Sequence, residues 1–242
     1  MSATLATSQR VLAQLRHDRR TMGLMLVVPG ALMGLLAWIY SGTSVFDRIG
    51  APLLGIFPFV VMFLVTSVAM LRERTSGTLE RLMTMPVGKL DLLLGYGLAF
   101  GAVAVVQALL VSGLSVTVFG LDIAGPTWLL VLTAVLDAML GVALGLFVSA
   151  FAATEFQAVQ FMPAVVLPQF LLSGLLVPRG QLNGFLHAVS SLLPLSYAVD
   201  ALARVTTSSG VETSTWVDLL AVAAYILAAL FLGAMTLRRR TA

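Results

Sequence analysis

The feature that most constrains this chain is a series of long, unbroken apolar runs, at 21–40, 52–71, 92–119, 127–150, 158–177 and 216–237. A helix needs about 20 mostly apolar residues to cross the hydrocarbon core of a bilayer, and each run reaches that length. Transmembrane barrel strands alternate apolar and polar residues in short segments, so these continuous runs exclude a membrane barrel. Composition excludes a water-soluble domain. Only 10% of residues are charged and 59% are hydrophobic, against about 25% charged in an average soluble domain. With no cysteine in the chain there is no disulfide framework, thiolate metal site or thiol nucleophile. The net charge of +3 comes without a long basic run or aromatic–basic interleaving, so nucleic acid is not an expected partner.

The flanking charges set the expected orientation. With the N-terminus inside, eleven of the fourteen basic residues fall on the inner side: Arg10, Arg16, Arg19, Arg20, Arg72, Arg74, Arg81, Lys89, Arg238, Arg239 and Arg240. Arg48, Arg179 and Arg204 fall outside. Both termini are therefore expected in the cytosol. The first run follows about 20 residues and has full spanning length, which favours an uncleaved signal anchor over a cleaved signal peptide. Trp38, Tyr40 and Trp128 stand at run edges, where interfacial aromatics belong.

The connecting segments are also patterned. Near the N-terminus Leu5, Val11, Leu12 and Leu15 share one helical arc and Arg10, His17 and Arg20 the opposite one. This suits an amphipathic helix lying in the interface; the plainer reading is a frayed basic tail. In the loop 72–91, Ser76 or Gly77 can cap a helix, Glu80 suits its first turn, and Leu79, Leu82 and Met83 form an apolar stripe. Pro86 ends it. Between 178 and 215, the stretches 182–189 and 192–202 are apolar but too short to span, with Pro194 between them. They read as two short helices dipping into the outer interface or re-entering it.

Polar groups inside the runs are few. Asp137 falls near the middle of the fourth, where an acid costs about 2.5–3.5 kcal/mol to insert. Either it faces a transport path or it bonds a neighbouring helix. Gln107, Gln160 and Gln169 are weaker versions, suited mostly to helix–helix bonding. Pro163 and Pro168 should kink the fifth run. Gly141 and Gly145 form a G-x-x-x-G pair that can mark close packing. No phosphate-binding loop, H-E-x-x-H zinc motif or membrane-protease constellation is present, and His17 and His187 are far apart in sequence. The chain is not expected to be an enzyme by itself, nor to hold a metal.

Two motifs carry a family resemblance. LRERTSGTLERL at 71–82, followed by Pro86, resembles the R-E-x-x-x-G-T-L-E-x-L-x-x-x-P signature of ABC-2-type permeases, the membrane subunits of bacterial ABC exporters. Leu172-Ser173-Gly174, then Pro178, then LPLSYAVDAL at 193–202 resembles the L-S-G … P … L-P-L-T-Y-x-x-D-x-L segment of the same family. The pattern also resembles that of the daunorubicin-resistance permeases. The resemblance implies an all-α polytopic membrane protein, one transmembrane domain over 1–242 in a bacterial cytoplasmic membrane. It implies six N-in/C-in spans, an interfacial N-terminal helix, a cytosolic coupling helix and two short extracytoplasmic helices within 178–202. The coupling helix would dock on a separate cytosolic ATPase through Glu73, Arg74, Gly77, Thr78, Leu79, Glu80, Arg81, Leu82 and Pro86. Gly174, Pro178, Pro194, Tyr197 and Asp200 belong to the outer-helix motif, and Asp137, Gln107 and Gln169 are candidates for the path. Two permease copies, as a homodimer, would pair with two ATPase subunits. ATP and Mg would bind the ATPase and no cofactor this chain.

The implied cargo is hydrophobic or amphiphilic: a drug, an antibiotic or a lipid, moved in multidrug or lipid efflux or antibiotic resistance, with membrane lipid as the surroundings. A polysaccharide or teichoic-acid exporter is the alternative within the family. It should line its path with aromatics, and this chain is 8% aromatic with Trp at the span edges. A non-transporting scaffold would have no need of a docking helix. A proton-driven carrier using Asp137 would be expected to show inverted repeats; the two halves show no convincing repeat, and Pro163 and Pro168 have no clear counterpart pair in the first half apart from Pro52 and Pro58.

Overall fold

A computed structural model describes residues 2–76 and 88–236. Among them nine α-helices follow one another: α1 (Ala3–His17), α2 (Arg19–Ile39), α3 (Val45–Thr75), α4 (Lys89–Thr117), α5 (Thr127–Val148), α6 (Glu155–Leu172), α7 (Gly184–Leu192), α8 (Pro194–Thr207) and α9 (Thr213–Thr236). The described residues contain no strand. Local chemistry starts several helices. The Asp18 carboxylate caps α2, accepting from the Thr21 amide at 3.1 Å and its hydroxyl at 2.6 Å. Those two bonds hold the Asp18 carboxyl below the usual aspartate range. Thr154 caps α6 and Asn183 caps α7. Pro194 opens α8, where a missing amide hydrogen costs nothing.

Five described helices are long and apolar enough to cross a membrane: α2, α3, α4, α5 with the 3-10 turn that extends it (Ser149–Phe151), and α9. The fifth expected run, 158–177, is the 18-residue α6, which starts three residues earlier and ends five earlier. It stands outside that group because three glutamines and two prolines dilute its apolar character. α7 and α8 meet at a 94° bend. The third helix is longer than its apolar run, beginning at Val45 instead of 52.

The centre is α3 against α5. The two run parallel and step together four residues at a time. Gly55 lies against Asp137, Phe59 against Gly141, and Phe63 against Gly145. A Cβ on Gly141 would strike the Phe59 carbonyl, and one on Gly145 the Phe63 carbonyl and Thr66 hydroxyl. The G-x-x-x-G pair is thus a backbone-to-backbone contact. Thr66 donates to the Met62 carbonyl at 2.6 Å and reaches Val142 O at 3.4 Å. Phe59, Phe63, Leu54, Leu130, Ala134, Leu140 and Leu202 are fully buried around this seam.

α4 returns beside this pair and carries α1 on its first turns, where Gly95 admits Thr7; a Cβ at 95 would come 2.6 Å from Thr7 Cβ. Large apolar side chains stand exposed along the outer faces, among them Leu24, Val27, Leu98, Leu109, Leu220 and Leu227. Such a belt is a liability in water and suits lipid. Trp38, Trp128 and Trp216 all lie at the end of the bundle opposite α1, and the rings of the last two sit 6.2 Å apart. α6 is sparsely covered, with Ala158, Val166 and Gln169 buried.

Gly141→Val is expected to force α3 and α5 apart and cost about 1–3 kcal/mol of overpacking. The check is the melting temperature and monodispersity of the detergent-purified chain beside Gly113→Ala, where nothing lies within 4 Å of an added Cβ. Equal stability of the two variants would remove the seam from its central place.

Candidate functional site

At the α1 end, charged side chains tie helix ends together. Arg10 pairs with Glu73 at 3.3 Å and donates to the Tyr96 hydroxyl at 2.7 Å. Its guanidinium lies 5.8 Å from the centre of the same ring. Arg10 was expected on the polar arc, opposite Val11 and Leu15; its long side chain turns inward, because α3 and α4 present an acid and a phenol there. Val11 and Leu15 are buried as the apolar arc requires, while Leu5 is half exposed. Arg74 donates to the Ser149 carbonyl at 2.6 Å, joining the end of α3 to the end of α5. Arg72 makes a two-pronged bridge to Glu155 at 2.8 and 3.0 Å, joining α3 to the start of α6. Of the expected docking residues, Glu73 and Arg74 therefore organise the base on which the loop stands. Gly77, Thr78, Leu79, Glu80, Arg81, Leu82 and Pro86 lie outside the described residues.

The three expected path residues sit in three separate helix contacts. Asp137 is fully buried, facing Gly55 of α3, which Leu202 of α8 also faces, and neither carboxyl oxygen has a hydrogen-bond partner among the described residues. Gln107 donates to the Met25 carbonyl, fastening α4 to α2. Gln169 donates to Val165 O at 3.1 Å within α6 and accepts from the Leu195 amide at 3.4 Å, fastening α6 to α8. Gln107 and Gln169 thus act as helix-to-helix bonds. Gln160, by contrast, stands exposed on α6 together with Pro163, Ala164 and Pro168.

The outer-helix motif closes around an ion pair. After α6 the chain turns at Gly174, whose φ of +98° suits glycine. Pro178 leads into a 3-10 turn (Arg179–Gln181). Arg179 pairs with Asp200, donates to Ser191 Oγ at 3.1 Å, and lies over the Tyr197 ring at 5.5 Å. Tyr197 in turn donates to the Ser191 carbonyl at 2.6 Å. The glycine is needed by space as well as by φ, since a Cβ at 174 would stand 3.2 Å from Arg179 Cγ and 3.5 Å from Asp200 Oδ1. A second pair, Arg204 with Asp218, fastens α8 to α9. Sequence reasoning treated Arg179 and Arg204 only as outside charges. The available signal was their rarity there, because isolated charges in apolar surroundings are held by partners.

Arg179→Gln is expected to lower stability by about 1–2 kcal/mol and Asp200→Asn by a similar amount. The double variant should lose less than the sum, by about 1 kcal/mol of coupling. Thermal melts of the four proteins in one detergent measure this, and additive losses would mean that the pair does not act as a unit.

The model of the family described as "ABC-2 type transporter" matches residues 3–206. ABC transporter G family member 20 of Dictyostelium discoideum is 27% identical over 179 residues, 73% of this chain and 24% of that protein. "Probable multidrug ABC transporter permease YbhR" of Escherichia coli (strain K12) is 26% identical over 148 residues, 61% of this chain and 40% of its own. "Inner membrane transport permease YhhJ" of the same strain is 28% identical over 145 residues, 58% of this chain and 38% of its own. The chain thus spans a quarter to two fifths of the length of these relatives. The matched region runs from α1 through the end of α8, taking in the α3–α5 seam and the Arg179 cluster. This chain belongs to the ABC-2 type transporter family and is a multi-pass membrane protein.

Proposed function

We propose that this permease exports an amphiphilic or hydrophobic compound, and that a separate cytosolic ABC ATPase drives it. The ATPase docks on the loop between α3 and α4, with Leu79 and Leu82 filling its groove and Glu80 and Arg81 making charge-assisted contacts. The Arg10–Glu73 and Arg74–Ser149 links support this reading, because a loop that transmits force needs a firm base. Movement at the loop passes through α3 directly into the seam with α5.

The observation that carries the reading is the exposed face of α6. Asp137, Gln107 and Gln169 are buried within one chain, whereas Gln160 stands outward among Pro163, Ala164 and Pro168. A glutamine is poor company for lipid tails, and the two prolines leave the carbonyls of Val159 and Ala164 without their helical donors. We place the path along this face, between two copies of the permease, with the bent pair α7–α8 closing its outer end. The apolar residues exposed along the same helix, Val159, Leu167 and Leu171, support the cargo class. The names of the Escherichia coli relatives, one of them a multidrug permease, point the same way.

Co-expression with ABC ATPases of the same host tests the reading. The tagged permease is expected to bring one of them through mild-detergent purification. Leu82→Asp should lower its recovery about ten-fold, since burying one unpaired charge costs well over 1.4 kcal/mol, and should leave membrane insertion intact. Full recovery with Leu82→Asp would contradict docking on this loop.

A further inference from the structure

A cleft of about 530 Å³ opens beneath α1, walled by α1, the start of α2, the last third of α3 and the first half of α4. Its wall is largely apolar, through Leu24, Val65, Val68 and Phe100, and Glu73, paired with Arg10, also lines it. Its mouth is charged, with both signs present, at Asp18 and Arg72. It borders the base of the docking loop at Arg72, Glu73 and Ser76 and lies apart from the exposed face of α6. At about 30 Å³ for each water-sized group, its volume suits on the order of one hydrocarbon chain.

We infer that this cleft holds one acyl chain of a zwitterionic phospholipid, with the head group across Asp18 and Arg72. The division of the site is that of an amphiphile, apolar within and ionic at one rim. The rim lies at the end of the bundle that gathers Arg10, Arg16, Arg19, Arg20, Arg72, Arg74 and Lys89, which is head-group level at the basic side of the membrane. The charges sort the head group. Arg72 uses Nε and Nη2 in its bridge to Glu155, which leaves Nη1 to donate to a phosphate. Asp18 accepts from Thr21 and keeps lone pairs for an ammonium. A head group carrying phosphate alone would meet Arg72 favourably and Asp18 unfavourably; one carrying phosphate and ammonium satisfies both. Entry is lateral, past Leu24 on the sparsely covered α2, whose side chain is 61% exposed. A chain lodged there packs α1 against α3 and α4, so lipid completes the base of the force-transmitting loop. The inference concerns binding alone and stands whether or not the permease exports an amphiphile.

Native mass spectrometry of the full chain tests it, after delipidation and addition of palmitoyl-oleoyl phosphatidylethanolamine or phosphatidylglycerol. The expected result is one tightly retained phosphatidylethanolamine per chain, with phosphatidylglycerol about ten-fold weaker, as the loss of one charged hydrogen bond implies. Val68→Trp fills the cleft and should abolish the retained lipid. Asp18→Asn keeps a helix cap, gives up one of the two bonds accepted from Thr21 at a small cost in melting temperature, and should erase the preference between the two lipids. That second variant decides the matter if Val68→Trp fails to fold. Equal retention of both lipids by the unaltered chain, or an unchanged preference in Asp18→Asn, would overturn the inference, and stronger retention of phosphatidylglycerol would reverse the head-group assignment.

Discussion

The rest of the structure depends on the approach of two backbones. α3 and α5 lie so close that Gly141 and Gly145 leave no room for a Cβ against the Phe59 and Phe63 carbonyls. In a membrane the hydrophobic effect does little to bring helices together, because lipid is as apolar as leucine. Close van der Waals contact over a long parallel seam is the force that remains, and small residues make it available. Gly55 extends the seam by admitting Asp137. α4, α8 and α9 are then laid against a pair that is already fixed.

The two ends of the bundle are fastened by a different chemistry. Arg10–Glu73, Arg72–Glu155 and the Arg74 bond to Ser149 O secure the α1 end; Arg179–Asp200 and Arg204–Asp218 secure the other. The helix ends lie where water and head groups soften the cost of charge, so ion pairs can hold them without the penalty that the middle would exact. Arg72–Glu155 is more than half exposed and contributes little stability by itself; its value is in directing α6. The chain is thus stiff at its centre and clasped at its ends, with α6 outside the tight seam.

What the sequence made legible follows from these forces. The spans were readable because lipid demands length and apolarity, and the G-x-x-x-G pair because close approach demands small residues. The break at Pro194 was readable because proline cannot continue a helix, and the outer motif because Gly174, Pro194, Tyr197 and Asp200 stand in a family pattern. The inward turn of Arg10 was not legible: a helical wheel assigns a face but does not know that Glu73 and Tyr96 wait on other helices. Nor was the pairing of Arg179 with Asp200, which depends on how α6 hands the chain to α8. The boundary between buried and exposed glutamines, Gln107 and Gln169 against Gln160, required the packed helices, since all three sit in apolar runs of similar appearance.

A packed centre and an uncovered α6 make one central claim, that the path forms on the outer face of α6 between two copies. The absence of cysteine allows a clean test. Gln160→Cys and, separately, Phe231→Cys on the exposed face of α9 can be treated with a short thiol cross-linker in native membranes. The expected result is a dimer-sized product from Gln160→Cys and monomer from Phe231→Cys. Cross-linking through Phe231→Cys while Gln160→Cys stays monomeric would place the partner copy on the wrong side of the molecule and contradict the account.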